Sequence, residues 1–315
     1  MQLRHFCSSC CLEDKVHSQT ATRALISRKG VSGVFIARDT RKKKNSSRRR
    51  ASMLFEARFR SGMLFKQVVE AIADGRDVCN LHCCSAGMTI QAIDICDVAL
   101  SEVWIDATAM ELEHYSCKQV CIFGVNMSHV RKVLKWCSKS DSLTLRWVDY
   151  ACDVIELSFS SSTGVRESTV CLHLVDLYEA PKQFPTSASD VQIDIPSEAF
   201  ARACSELRAV GPYACISACS EKVTFTAQGG AARGSVALRC GLATASTRVR
   251  MHGKKKRVHQ LFSLDHLQCF ARATPLASRV SISMTCDEAL LVEYRVRHKS
   301  GRIRYLLAPR TAIAV

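Results

Sequence analysis

Arg131, Lys132, Lys135 and Lys139 lie three and four residues apart within and just after the stretch NMSHVRKVLKW, residues 126–136. On an α-helix that spacing sets cations along one side, while Val130, Val133 and Leu134 form an apolar stripe on another. A core explains the stripe. The cations suit a polyanion, because phosphates can be held by charge without any base being read. Other reactive groups are sparse. Asp94 and Asp97 are the nearest approach to a carboxylate pair, and adjacent strand and turn acids are more often solvated than catalytic. Cys7, Cys10 and Cys11, and His82 with Cys83 and Cys84, resemble metal clusters, but no second CxxC supplies the remaining ligands. With no GxxxxGK[ST] loop, GxSxG elbow or HExxH pair, the chain is not expected to be an enzyme, and no cofactor or metal is expected.

The elements that would position these residues must come from a sizeable core. With 315 residues, 47% of them apolar, the chain can bury roughly three quarters of its unfolded surface in one large or two medium cores. No apolar run approaches the ~20 residues that span a bilayer, so no membrane partner is expected. Most of the 18 cysteines sit singly in apolar surroundings, as at Cys204, Cys215 and Cys269, and read as reduced structural thiols.

Charge divides the chain. Residues 1–52 hold 13 Lys+Arg against 3 acidic residues, and the rest holds 31 against 26. RKKKNSSRRR at 41–50 repels itself too strongly to pack, so the leader is expected to be disordered. It reads as a nuclear-import patch, with a nucleic-acid arm, an organelle transit peptide or a true start at Met53 as alternatives.

From Met53 the pattern becomes short strands broken by amphipathic helices. LFEARF alternates as a strand, and 61–74 places Leu64, Phe65, Val68, Val69 and Ile72 on one helical face with Lys66 off it. Strands are expected at 77–83, 87–93, 98–105, 112–117, 120–124, 142–148 and 154–160, with the basic helix between the fifth and sixth. After a loop rich in Pro and Ser, APKQFPTSASD, the order repeats. VQIDI is followed by a helix with Phe200, Ala203, Cys204 and Leu207 inward and Arg202 off the stripe. Further strands lead to a helix at 263–273 with Arg272 outward, and RVSISM, ALLVEYRV and RIRYLLA close the count. The expected architecture is a duplicated α+β unit: a leader 1–52, a first domain 53–175, a connector 176–190 and a second domain 191–315.

FEARF, GMLFKQVVEAI, GMTIQAID, YSCK and GVNMSHVRKVLKW in the first half, and IPSEAFARACSEL, ARATPLASRVSISM, LLVEY and YLLAPR in the second, resemble sliding clamps of the proliferating cell nuclear antigen type. The resemblance runs in order from about Met53 to Arg310. It implies duplicated DNA-clamp (processivity fold) domains in a homotrimeric ring, helices inside and β-sheets outside, threaded by double-stranded DNA of any sequence. It implies partners: DNA polymerase, a clamp loader, flap endonuclease and DNA ligase, docked through short peptide motifs. By the same resemblance Lys66, Arg131, Lys132, Lys135, Arg202 and Arg272 line the hole. Ile93, Val98, Leu100, Phe184, Pro185, Leu306, Leu307, Ala308 and Pro309 form the docking pocket. Gln67, Ser205 and Asp265 stand where the family usually has a basic residue, with Arg131, Lys139, Arg208 and His266 expected to compensate. The edges that close the ring are expected at 153–159 and 234–240. The expected function is that of a DNA polymerase processivity factor in the nucleus; the alternatives are a checkpoint-type subunit of a heterotrimer and a basic nucleic-acid-binding protein that forms no ring.

Overall fold

The computed structural model describes residues 53–72, 77–148, 153–177, 181–185, 188–241, 247–252, 255–286, 288–297 and 300–310, all within one compact unit, Lys42–Val315. The basic leader, and two residues of the GKKKRV stretch, lie outside the described residues.

One element order is traversed twice. The first pass is β1 (Phe55–Phe59), α1 (Gly62–Ala71), β2 (Val78–Cys84), β3 (Gly87–Ile93), β4 (Ala99–Asp106), β5 (Leu112–Cys117), β6 (Cys121–Asn126), α2 (Met127–Leu134), β7 (Ser142–Trp147), β8 (Val154–Ser160) and β9 (Glu167–His173). The second is β10 (Val191–Pro196), α3 (Ser197–Arg208), β11 (Tyr213–Cys219), β12 (Lys222–Gln228), β13 (Arg233–Arg239), β14 (Arg248–Met251), β15 (Val258–Ser263), α4 (Leu264–Ala271), a 3-10 turn (Thr274–Leu276), β16 (Arg279–Met284), β17 (Leu290–Val296) and β18 (Gly301–Leu307).

Local chemistry starts the helices where they start. The Ser61 hydroxyl accepts from the Met63 N–H, and the Asn126 side chain accepts from the His129 N–H, so each satisfies an otherwise orphaned donor. The buried positions then follow the helical period: Phe65, Val68 and Val69 in α1, Phe200, Ala203, Cys204 and Leu207 in α3. In β1, β8 and β10 alternate residues are buried, which seats each strand with one face on the core.

The sheets repeat with the elements. The first pass gives the order β5-β1-β7-β8-β9, and the second gives β14-β10-β16-β17-β18. Each pass also makes a four-stranded set, β6-β2-β3-β4 and β15-β11-β12-β13. One junction breaks the symmetry: β18 pairs with β4 and fuses two of these sets into a nine-stranded sheet. There Ile303 faces Val103 and Leu307 faces Ala99, and the ladder extends to an Ala308 N–H donating to the Val98 carbonyl at 2.9 Å. Gly301 permits the close approach, since a Cβ on it would lie 2.0 Å from the Trp104 carbonyl oxygen. Helices pack side by side in the order α2-α1-α4-α3, with α1 against α4 at the same junction.

The counterparts of β18 and β4 are β9 and β13. Phe159 faces Ser168 as Tyr294 faces Ile303, which makes Val170 the counterpart of Tyr305. Ile90 faces Val103 as Phe225 faces Val236, so Gly234 corresponds to Ser101. Among the described residues the outer sides of β9 and β13 have no strand partner, and both strands are half-exposed along their length.

Two expectations are corrected. β9 and β15 are strands that the sequence reading passed over, and the edge of the first half that corresponds to β18 is β9, not 153–159. β8 lies inside its sheet between β7 and β9, with Ile155, Leu157 and Phe159 buried. Alternation reports one buried face and says nothing about whether a strand has neighbours on both sides. The second edge, 234–240, does fall on β13. The 14 described cysteines are free thiols.

Candidate functional site

The first candidate surface is the helix layer. Lys132 and Lys135 are exposed, as are Arg202 on α3 and Arg272 just after α4, while Lys66 on α1 is half-buried. All stand off the buried stripes of their helices, whose inward residues are Met127, Val130, Val133 and Leu134 in α2 and Leu264, Leu267 and Phe270 in α4. Glu70, Glu198, Glu206 and Asp265 are exposed on the same helices, so the surface is mixed with a cationic bias.

Three side chains expected to strengthen that bias are engaged elsewhere. Arg131 donates to the Ile72 carbonyl at 3.2 Å, satisfying the end of α1. Arg208 forms an ion pair with Asp265, so the acid that stands in place of a base neutralises its own compensator. His266 pairs with Asp94 at 3.2 Å, across from the first half of the chain. The expected compensation reduces to Lys139, which is exposed.

The second candidate surface is the outer face of the nine-stranded sheet at the β18–β4 junction. Register puts Ile93, Leu100 and Leu306 opposite one another on three neighbouring strands, and Leu291 continues the row on β17. Val98 and Ala308 lie one step along the same face, and Pro309 follows half-buried. Leu307 does not belong here: it is 1% exposed and points into the core, because successive strand residues alternate faces. Beside the row, Ile95 is 76% exposed at the tip of the β3–β4 turn.

That turn is built by Asp94, whose carboxylate accepts the Val98 and Ala99 N–H groups at 2.7 and 2.8 Å. Burial raises its pKa, but hydrogen bonds from His266 and from the Ala99 and Val98 amides outweigh burial and hold the carboxyl below the ordinary range. Asp94 is thus a structural acid, and Asp97, with a left-handed φ of 58°, is part of the turn.

The next row of the same face anchors the connector. Val175 pairs with Gly124 on β6, where a Cβ would strike the Val175 carbonyl at 2.1 Å. The Gln91 side chain then accepts the Lys182 N–H and donates to the Lys182 carbonyl, both at 2.9 Å, imitating a strand partner. Arg304 pairs with Glu102 and lays its guanidinium over the Phe184 ring, 4.2 Å from the centroid. Phe184 is 7% exposed, so it pins the connector, with Pro185 half-buried behind it. The connector therefore crosses the strands along Gly124, Gln91, Glu102 and Arg304, and bounds the apolar row on one side. Sequence reasoning missed Gln91, Glu102, Arg304 and Leu291. Gln91, Glu102 and Arg304 share strand parity with Ile93, Leu100 and Leu306, but parity alone does not tell a polar anchor from an ordinary solvent-facing residue.

The arrangement offers a shallow apolar row beside the pinned connector, suited to holding a short peptide, and a cationic helix layer suited to phosphates. Among the described residues no group of three His, Cys, Asp or Glu could hold a metal. The family model for the proliferating cell nuclear antigen N-terminal domain matches residues 54–180, and that for its C-terminal domain matches residues 183–310.

Proposed function

The chain belongs to the proliferating cell nuclear antigen family of sliding clamps, and from that premise we propose that it closes as a homotrimeric ring around duplex DNA and serves as a polymerase processivity factor. The observation that carries this reading is the pair of edge strands, β9 and β13, whose outer sides have no strand partner among the described residues and which are the counterparts of the β18 and β4 that pair inside the chain. If the junction within the chain is repeated between chains, β9 of one copy meets β13 of the next, and three copies complete a closed ring of six similar domains.

The register carries over. Ile303 faces Val103 and Tyr305 faces Ser101 within the chain, so Ser168 would face Val236 and Val170 would face Gly234 between chains. Antiparallel hydrogen bonding alternates, and the Leu174 N–H already donates to Asp153 within the chain. Thr169, and Ser235 opposite it, then turn their N–H groups toward the neighbour.

A ring that surrounds its ligand needs no tight grip. Lys66, Lys132, Lys135, Arg202 and Arg272 would bias phosphates weakly and allow sliding, while Arg131 supports α1. A partner peptide would seat apolar side chains on Ile93, Val98, Leu100, Leu306 and Ala308 beside the pinned connector. Polymerase, flap endonuclease and DNA ligase are the partners this reading assigns to that row, with a clamp loader to open the ring and the nucleus as the place of work. The scaffold has no catalytic role in this scheme.

The test is polymerase stimulation on primed circular DNA. Lys132→Glu with Lys135→Glu should lower stimulation at least about tenfold at moderate salt, with little change in thermal stability, because both side chains are exposed. Equal stimulation by the wild type on circular and open-ended linear templates, with no loader dependence, would count against topological retention.

A further inference from the structure

Trp136 is 49% exposed immediately after α2, where the neighbouring exposed residues are Lys132, Lys135, Ser138 and Lys139. A large aromatic ring left in water among cations loses the burial that would repay it, so its surroundings in the assembled protein deserve a physical account. The internal junction supplies one, since every residue around Trp136 has a counterpart there.

α2 and α4 correspond position by position, with Met127, Val130 and Val133 buried as Leu264, Leu267 and Phe270 are. Lys135 then corresponds to Arg272 and Trp136 to Ala273. α1 and α3 correspond likewise, with Phe65, Val68 and Val69 matching Phe200, Ala203 and Cys204, so Ala71 corresponds to Glu206. At the internal junction Ala71 and Ala273 are each 0% exposed. Tyr305 bridges that junction: its ring stacks on Phe270 at 4.4 Å and its hydroxyl donates to the Ala71 carbonyl at 2.7 Å.

The outer junction has the reverse distribution of bulk. Tyr305 and Phe270 become Val170 and Val133, two small side chains, while Ala273 becomes Trp136. A junction with the same backbone and only valines in the middle would leave a void, and voids at packed joints are costly. The exposed Glu206 replaces the buried Ala71, and in a repeated junction it would face α2, the element that carries Lys135.

We propose that Trp136 is the anchor of the joint between copies of this chain, filling against α3 of the next copy the volume that Tyr305 fills inside one chain. Lys135 and Glu206 of the next copy flank it with opposite charge. This rests on the ring reading above and adds to it the residue that makes the ring specific to copies of this chain: a neighbour whose α3 or β13 carries extra bulk at this joint would clash with the indole.

The test begins with light scattering on the wild-type full chain. A wild type that is monomeric at every concentration would overturn the ring reading, and this proposal with it. With a trimeric wild type, Trp136→Ala should raise the concentration at which trimers dissociate by at least about tenfold, the usual weight of a central aromatic anchor, and Trp136→Phe should restore most of the loss. The Trp136 emission, taken as wild type minus Trp136→Phe, should be blue-shifted and shielded from acrylamide in the trimer, and red-shifted and quenched in the edge variant Thr169→Pro. A trimeric wild type whose Trp136→Ala variant dissociates at the wild-type concentration overturns the proposal alone. If that variant stays trimeric and instead loses retention on DNA, the indole contacts nucleic acid and the anchor role is wrong.

Discussion

The junction of β18 with β4 and the open edges of β9 and β13 are built from the same backbone plan, yet one is complete within the chain and the other is not. At the first, Tyr305, Tyr294 and Phe270 lie in one buried aromatic layer, and Gly301 lets two strands meet at close range. At the second, Val170 and Val236 are half-buried and the strand N–H groups turned outward lack strand partners among the described residues. The contrast teaches that duplication supplies an interface as a by-product. A unit able to pair head to tail with its own copy makes one joint by covalent linkage and leaves the same surfaces over for a neighbour. Unpaired edge strands are a liability in an isolated chain, so their persistence along both β9 and β13 is itself an argument for a partner.

The comparison breaks most completely if a single backbone donor is removed. Thr169→Pro or Ser235→Pro should abolish trimer formation at micromolar concentration while far-ultraviolet dichroism and the melting profile of the monomer are kept, since proline is tolerated on an edge strand whose N–H faces outward. A retained trimer would mean that the register carried over from β18 and β4 is wrong.

Next in size is the internal joint. Tyr305→Ala should cost about 3–5 kcal/mol of chain stability in denaturant titrations, the range for removing a buried aromatic. Val170→Ala, placed in the monomeric Thr169→Pro background, should cost less than about 1 kcal/mol, because its surroundings are still open there. Equal costs would erase the distinction between the joints.

A smaller loss than that of Tyr305→Ala is expected at the turn that holds the apolar row. Asp94→Asn should lose about 1.5–3 kcal/mol, the range for hydrogen bonds to charged groups. The folded-state pKa of Asp94 is depressed, so its contribution is present above the unfolded value near ~3.9 and is lost as pH falls through the lower folded value. Denaturation of wild type and variant across pH 3 to 7 should show a constant difference above about 5 that narrows in acid. A difference growing toward low pH would reverse the assignment.

Much of the fold was legible because periodicity is a local signal. The stripe Phe65, Val68, Val69 and its echo Phe200, Ala203, Cys204 announced two helices and their duplication. β9 was passed over because it is half-exposed along its whole length in a single chain, and its Val170 and Leu172 lack the strong contrast of a core strand. β15 hid behind the basic stretch before Val258. The apolar row came from family resemblance, since Ile93, Leu100 and Leu306 meet only through register and no local pattern joins them. The same limit explains Leu307, adjacent in sequence to Leu306 but turned to the core. The pinning of the connector by Gln91, Glu102 and Arg304 was not legible, because each reads alone as the polar member of an alternating strand.

The most direct test of a ring closed by β9 and β13 is the mass of the 315-residue chain in solution, measured by light scattering over a range of concentrations. Closure predicts a plateau at three times the 34.9 kDa chain mass, with no growth beyond it as concentration rises. A single-chain mass throughout, or open-ended growth past three, would contradict it.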